Sequence, residues 1–445
     1  GGIGAVLLAA CAQPQPTPAP GQKPAEAKPA EAKPAAPAKG QIKFSVWGDI
    51  QDKDVYDNIS NDFNAAQQNV KAVPEQWVGQ FYEKLQTVLA GGTAPDITYA
   101  QGWRWQPFAV RGVFVDLNSY KQRDSHTAPW PDFENYKNQT QFRGKLTMQP
   151  SDTGGMVIFY NKTQFDKMKL PYPTGNWTYE QFVETAKKLT STSGERSYGY
   201  QMNGGYLRNI PWIRMHGDLE WDTLVEPKKA LWDNKNIIDA LQWQQFDSIN
   251  TLKVSPSPAE MTGGANQIQS GNVAMKMEGP WFLPQMQGPQ AKRQGGTPFD
   301  VVLLPIGPNG KRMPHVGLVH GHCMIAQSKN QDGAWEFLKY VAGDKGQQRI
   351  AEGGRQPMTP DTIRKYWLEP TKKQFNFQNA EAFAEALEVG GVSVVGEIDE
   401  GFLWNEVLKE AWDAMQGGLK KASEVIPEAN KKIQKILDEY WAKQK

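Results

Sequence analysis

The sequence predicts an α/β protein built as two lobes, and three observations carry that prediction. Short strands alternate with helices from Gln41 onward. The same alternation restarts after Gly155. A chain of 445 residues is also too long for one domain of about 100–200 residues, and supplies apolar material for more than one core.

In the first lobe, Ile42, Phe44 and Val46 alternate with Lys43, Ser45 and Trp47, the period of a strand. Val55, Ile59 and Phe63 then recur at i, i+4 and i+8, a helix stripe. A second helix carries Phe81, Leu85, Val88 and Leu89 and stops at Gly91-Gly92. Asp96-Ile97-Thr98-Tyr99 forms the next short strand. Strand, helix and strand in that order predict a largely parallel sheet covered by helices.

In the second lobe, Met156 to Tyr160 read as an apolar strand, and Thr178-Tyr179-Glu180-Gln181 fits a capping box opening a helix with Phe182, Ala186 and Leu189 on one face. Further strands are expected at Ser197–Met202, Val273–Met277 and Phe299–Leu304. Helices are expected near 235–250, 332–342, 379–388, 402–416 and 422–442. No solenoid-type repeat is present.

Composition removes several classes of function. Lys and Arg number 49 against 48 Asp and Glu, so the net charge of +1 lacks the basic excess that nucleic acid or an anionic membrane surface requires. No run of about 18 apolar residues occurs, which excludes an integral membrane helix. The only cysteines are Cys11 and Cys323, which excludes a disulfide scaffold and a Cys-rich zinc site. The 16 tryptophans outnumber the 14 tyrosines, a supply of flat apolar faces for cores or for ring-shaped ligands.

Residues 1–11 resemble the end of a bacterial lipoprotein signal. Leu8-Ala9-Ala10-Cys11 has an aliphatic residue, two small residues and a cysteine, preceded by an apolar run too short to span a bilayer. Processing there leaves Cys11 as a lipidated N-terminus. In residues 12–40, Pro24-Ala25-Glu26-Ala27-Lys28 is repeated at once as Pro29-Ala30-Glu31-Ala32-Lys33. So Pro- and Ala-rich a segment buries too little apolar surface to order itself and predicts an extended tether, about 90 Å when fully drawn out. The expectation is an exported globule held to the membrane by its lipid alone. The alternative is an unanchored N-terminal tail.

Several segments of the globular part resemble the bacterial extracellular solute-binding proteins of family 1, the maltose-binding-protein-like receptors of ABC importers. They run in family order: Val46-Trp47-Gly48; Lys84 to Thr87 with Ala90 to Ile97; Val157 to Lys162; Trp177 to Phe182; Gly271 to Met275 with Gly279-Pro280-Trp281; and Ser328-Lys329-Asn330 with Ala334 to Leu338. The resemblance implies a periplasmic-binding-protein-like α/β fold, with a central, mainly parallel sheet in each lobe, a hinge of crossing strands and a ligand cleft between the lobes. Crossings are expected near 149–154, 302–306 and 345–356. Lobe one would be 41–150 with 306–350, and lobe two 151–305 with 351–445.

A sugar cleft needs flat aromatic faces and side chains that pair with hydroxyls as water leaves. By the resemblance, Trp281 sits where the family often places a stacking aromatic. Trp47 ends the first strand on the face opposite Ile42, and Asp49 beside it can accept hydroxyl hydrogen bonds. Gln101 and Trp103 begin the loop after the strand at Asp96. Asp152 and Thr153 lie at the first crossing, Trp212 lies where lobe two reaches toward ligand, and Arg355 offers a planar fork after Gly353-Gly354. Each has a plainer alternative: packing for the tryptophans, a hinge turn at Gly154-Gly155, and a solvated helix end for Arg355. Trp404 reads as core, through its spacing with Leu408 and Ala411.

His315, His320 and His322 crowd beside Cys323. On a strand His320 and His322 share a face, but the segment has no acidic ligand, so no metal site is expected. By the resemblance His320, next to Gly321, hydrogen-bonds substrate, and Cys323 reads as a small buried hydrophobe.

Motifs for nucleophilic, metal, phosphate-loop or dinucleotide chemistry are absent. The expectation is a monomeric, cofactor-free receptor, not an enzyme. It captures a mono- or oligosaccharide outside the cytoplasmic membrane and hands it to the permease of an ABC importer, whose separate ATPase supplies the energy. The alternative solute is a glycerophosphodiester or other polar organic molecule. The alternatives of another class are a glycosidase and a non-transporting carbohydrate-binding adhesin.

Overall fold

The computed structural model describes residues 39–47, 50–126, 137, 139–287, 297–312, 318–389, 395 and 397–444. Cys11, the tether, Asp49 and His315 lie outside the described residues. The strands are β1 (Gly40–Trp47), β2 (Val70–Trp77), β3 (Ile97–Gln101), β4 (Gln141–Phe142), β5 (Lys145–Leu146), β6 (Gln149–Gly154), β7 (Val157–Asn161), β8 (Met275–Glu278), β9 (Phe299–Val302) and β10 (Leu318–Met324). Among the described residues no helix is long and apolar enough to cross a membrane.

The lobe-one sheet has the order β2-β1-β3-β10-β6. β1 pairs with β2 and β3 in parallel, and β10 runs antiparallel to β3 and β6, so four strands share one direction and β10 alone opposes them. Alternation along β1 aims Ile42, Phe44 and Val46 at one core, where they meet Val55, Ile59 and Phe63 of the helix Ile50–Ala66 and Trp335, Phe337 and Val341 of the helix Gln331–Ala342. Ser45, on the opposite face, is buried but satisfied by the Thr98 hydroxyl at 2.9 Å. β2 carried no readable strand signal because Pro74 interrupts it. Having no N–H, proline is tolerated on an edge strand, and β2 is the edge.

In lobe two β7 lies between β8 and β9 and opposes both. Parallel bridges from Tyr198 to Val273 and from Gln201 to Lys276 extend the sheet beyond β8, so β7 is again the one reversed strand. β7 is buried on both faces, and its alternation feeds two cores: Ile158 and Tyr160 enter one, Val157 and Phe159 the other. The expected capping box forms, with Gln181 N–H donating to Thr178 Oγ1 and Thr178 N–H donating to Gln181 Oε1 at 2.8 Å. The helix Ala422–Ala442 buries Ile426, Ala429, Ile433 and Leu437 as one stripe. The helix expected over 235–250 is α-helical over Lys235–Leu241 and π-helical over Gln242–Thr251. The helix Tyr206–Arg214 was not expected, because it contains Pro211 and is buried on most sides, which erases its period.

Sheet membership moves two crossings later than the sequence suggested. Residues 306–312 stay with lobe two: Ile306 bridges Thr178 and Arg312, and the Arg312 guanidinium donates to the carbonyls of Leu304 and Gly175. The chain next enters the lobe-one sheet at β10. The helix Asp344–Glu352 still packs on the helix Ile50–Ala66, and Pro357 bridges Asp152. The third crossing therefore follows 357. Hydrogen bonds to partners distant in sequence hold both segments, contacts that the family resemblance by which the crossings were placed does not record.

Candidate functional site

The site grows from the place where the chain first leaves lobe one, between the end of β6 and the start of β7. Asp152, near the end of β6, is 1% exposed. Its Oδ1 accepts from His320 Nδ1 at 2.8 Å and from Arg355 Nη1 at 3.1 Å, and its Oδ2 accepts from the Ser151 hydroxyl at 3.0 Å. Burial alone would raise the carboxyl pKa, but the charges of Arg355 and His320 and the hydrogen bonds from His320 and Ser151 outweigh it and hold Asp152 well below the usual carboxylate range. One carboxylate thus ties β6, β10 and the segment leading to the third crossing. Thr153, also buried, donates its N–H to the Gln356 carbonyl at 3.0 Å, and Gly155 N–H donates to Gln356 Oε1 at 3.2 Å.

Around this cluster stand aromatic rings of lobe one. Tyr99 stacks on His320 with centroids 5.8 Å apart, and Trp103 meets His320 edge-on at 5.5 Å. Gln101, the last residue of β3, pairs with His320 across the ladder, and its N–H donates to the Tyr82 hydroxyl at 3.1 Å. Trp47 ends β1 half-buried, stacked on Phe81 at 5.1 Å and 6.4 Å from Tyr99.

Trp281 comes from lobe two, just beyond the end of β8. Its ring lies against Gly154 so closely that a β-carbon there would sit 2.4 Å from a ring carbon. Its Nε1 donates to Glu278 Oε2 at 3.0 Å, and the Arg208 guanidinium lies 5.7 Å from the ring centroid. Glu278 also pairs with Arg208 and Lys276, each at 3.4 Å. Glycine is required at 154 because the tryptophan occupies the space any side chain would take.

Ion pairs also join the lobes, Lys365 with Asp344 at 2.8 Å among them. Arg104, after β3, reaches Asp399 Oδ2 at 3.1 Å, while Asp399 Oδ1 caps the helix Glu400–Leu403 by accepting from Phe402 N–H at 2.9 Å. Arg143, in the β4–β5 turn, pairs with Glu226 at 3.0 Å. Burial pushes the nearby Glu400 carboxyl up, against the opposing pull of Arg104.

Of the residues singled out in the sequence, Asp152, Thr153, His320, Arg355, Gln101 and Trp103 are gathered at one point, with Trp281 beside them at Gly154 and Trp47 next to Tyr99. Trp212 is not among them. It is 1% exposed, stacked on Phe182 at 5.1 Å inside the lobe-two core, and is reassigned to packing. Its helix turns that face inward, a fact no sequence period revealed. The sequence reading missed Tyr99, Arg104, Arg208, Lys276, Glu278 and Asp399. For Lys276 and Glu278 a signal existed: two charged residues at i and i+2 share one face of an otherwise apolar strand.

His322 shares the β10 face of His320 but sits among Phe44, Tyr56 and Tyr99, and neither ring nitrogen has a partner among the described residues. Burial pushes its pKa down to about 4. Cys323 is buried, and burial raises its thiol. Among the described residues no group of His, Cys, Asp or Glu is arranged to hold a metal ion.

Comparison with known proteins agrees with this architecture. Residues 47–348 match the family described as bacterial extracellular solute-binding protein. The erythritol/L-threitol-binding protein of Mycolicibacterium smegmatis is 24% identical over 345 residues, 69% of this chain and 66% of that relative, just under two thirds of its length. Among solved structures, the sugar-binding protein MalE of Xanthomonas citri superposes with a TM-score of 0.74 at 18% identity, covering 91% of this chain and 100% of that one. An ABC substrate-binding protein of Listeria monocytogenes in complex with cycloalternan gives a TM-score of 0.73 at 20% identity, covering 90% of this chain and 99% of the other. At these identities the likeness to both structures shows the shared two-lobed fold. With a family match over 47–348, a sheet in each lobe and a chain that crosses between them, this protein belongs to the bacterial extracellular solute-binding protein family.

Proposed function

We propose that the chain is the capture subunit of an ABC importer and that it closes its two lobes on a carbohydrate, a mono- or oligosaccharide. The observation that carries this reading is that a tryptophan of each lobe packs at the first crossing: Trp103 lies edge-on to His320 of the Asp152–His320–Arg355 cluster, and Trp281 lies on Gly154, two residues beyond Asp152. Half-buried indole rings suit the C–H faces of sugar rings, and the polar groups beside them suit hydroxyls. A ligand that touches both lobes stabilises the closed form, whereas one with equal affinity for open and closed forms would shift nothing.

The sugar ligands named for structural neighbours and the four-carbon polyols named for the mycobacterial relative favour a neutral solute over a phosphodiester.

On this reading the protein is exported, binds without turnover and acts as a monomer. Cys11 carries the lipid, residues 12–40 form the tether, and the permease with its separate ATPase receives the closed form. Thermal-shift screening of residues 41–445 against saccharides and polyols tests the central claim, because a ligand bound only by the folded state raises the melting temperature. A screen in which no saccharide or polyol raises it would sink the reading. Turnover of a saccharide by the purified protein would favour a glycosidase instead, and tight sugar binding without compaction in solution scattering would favour an adhesin.

A further inference from the structure

Lobe two contains a cavity of 680 Å³ at the end of β7 away from the crossing. Its size falls within the range of about 300–1,000 Å³ used by small-molecule sites. β7 starts beside the crossing at Val157 and reaches the cavity at Asn161. At about 3.3 Å per residue the two places are about 13 Å apart.

Amides and hydroxyls dominate the wall. The Asn161 and Gln164 side-chain nitrogens both donate to the Gly271 carbonyl, at 2.9 and 2.6 Å. That leaves Asn161 Oδ1 buried and without a partner among the described residues, and Thr297 Oγ1 is in the same condition. Both residues line the cavity, at 1% and 7% exposure. Buried polar atoms left unpaired are uncommon enough to need a reason. The charges at the rim are already engaged: Lys167 pairs with Glu195 at 2.9 Å, and Arg196 lies over the Tyr198 ring at 4.3 Å.

We propose that this cavity is a second solute site, for a small neutral polyhydroxylated molecule. One hydroxyl donates to Asn161 Oδ1, which can only accept, and a neighbouring hydroxyl pairs with Thr297 Oγ1, which can do either. Because the cavity belongs to lobe two alone, its occupant binds open and closed forms equally and does not drive closure. This separates it from the cleft, and the inference does not depend on what the cleft binds.

The test is an NMR titration of the full chain with D-glucose and, separately, glycerol, following the backbone amides of Asn161, Gly271 and Thr297. The expected result is saturable shifts at these positions with at least one probe, retained in Trp281→Ala and weakened about tenfold in Thr297→Val, the loss of one hydrogen bond. Thr297→Val removes a hydroxyl that no described group pairs with, so the fold is retained. Absence of saturable shifts with both probes, Thr297→Val titrating like the parent chain, or loss of the shifts in Trp281→Ala would each overturn the proposal. Shifts here in a chain whose cleft binds no sugar would overturn the importer reading and leave this one standing.

Discussion

Trp281 rests its ring on the bare α-carbon of Gly154, so an aromatic side chain of lobe two is seated on the last residue of a lobe-one strand. The lobes therefore meet through a contact that permits no side chain at position 154. Gly154→Ala is expected to push the indole off its seat, with an overpacking cost of about 2 kcal/mol. Chemical denaturation with the tryptophan emission spectrum checks this, and an unchanged spectrum with unchanged stability would contradict the close contact.

Asp152 bonds both His320 and Arg355, and removing its buried charge breaks the pairing on which both bonds depend. Asp152→Asn is expected to destabilise the fold by about 3 kcal/mol. The folded-state pKa of Asp152 is depressed, so its contribution is present above the ordinary carboxylate range and is lost as pH falls through the folded value. Urea titrations at neutral pH measure the loss, and a change within error of zero would argue against a coupled cluster.

His322 gives the opposite type of group, a base whose folded pKa is lowered, from 6.5 to about 4. Between those values the unfolded chain binds the extra proton, so stability falls as pH falls, by about 3 kcal/mol in all across that window. His322→Leu is expected to flatten the stability profile between pH 6.5 and 4 relative to the parent chain. Parallel profiles would show that His322 does not titrate in this way.

Trp281 and Trp212 separate binding from packing. Trp281→Ala is expected to weaken the best saccharide from the screen by at least about tenfold. Trp212→Ala is expected to cost about 4 kcal/mol of stability, whereas Trp212→Phe, which keeps an aromatic ring on Phe182, leaves saccharide affinity within about threefold. Calorimetric titration of the three variants distinguishes them, and a Trp212→Phe chain that lost binding as Trp281→Ala does would return Trp212 to the cleft.

The partly exposed ion pairs Arg104–Asp399 and Arg143–Glu226 are among those that join the lobes in this structure. Being partly solvated, they are screened by salt and each is modest. The double variant Arg104→Ala, Arg143→Ala is expected to enlarge the radius of gyration of the unliganded chain in solution scattering. An unaltered radius would show that apolar contacts such as Trp281 on Gly154 set the arrangement without them.

Local periodicity made part of the fold legible in the chain. Ile42, Phe44 and Val46 fix β1 because a strand alternates, Val55, Ile59 and Phe63 fix the following helix because a helix repeats every 3.6 residues, and Thr178 with Gln181 fixes a helix start. Only the tertiary structure decided that Asp152 bonds residues 168 and 203 positions away, that Trp281 needs a glycine at 154, that Trp212 faces a core, and that 306–312 and 351–357 remain with the lobe they were expected to leave. Each of these depends on contacts between segments far apart in the chain, made when two sheets assemble, and no residue's near neighbours in sequence record which distant partner will fill its last hydrogen bond or its last few ångströms of space.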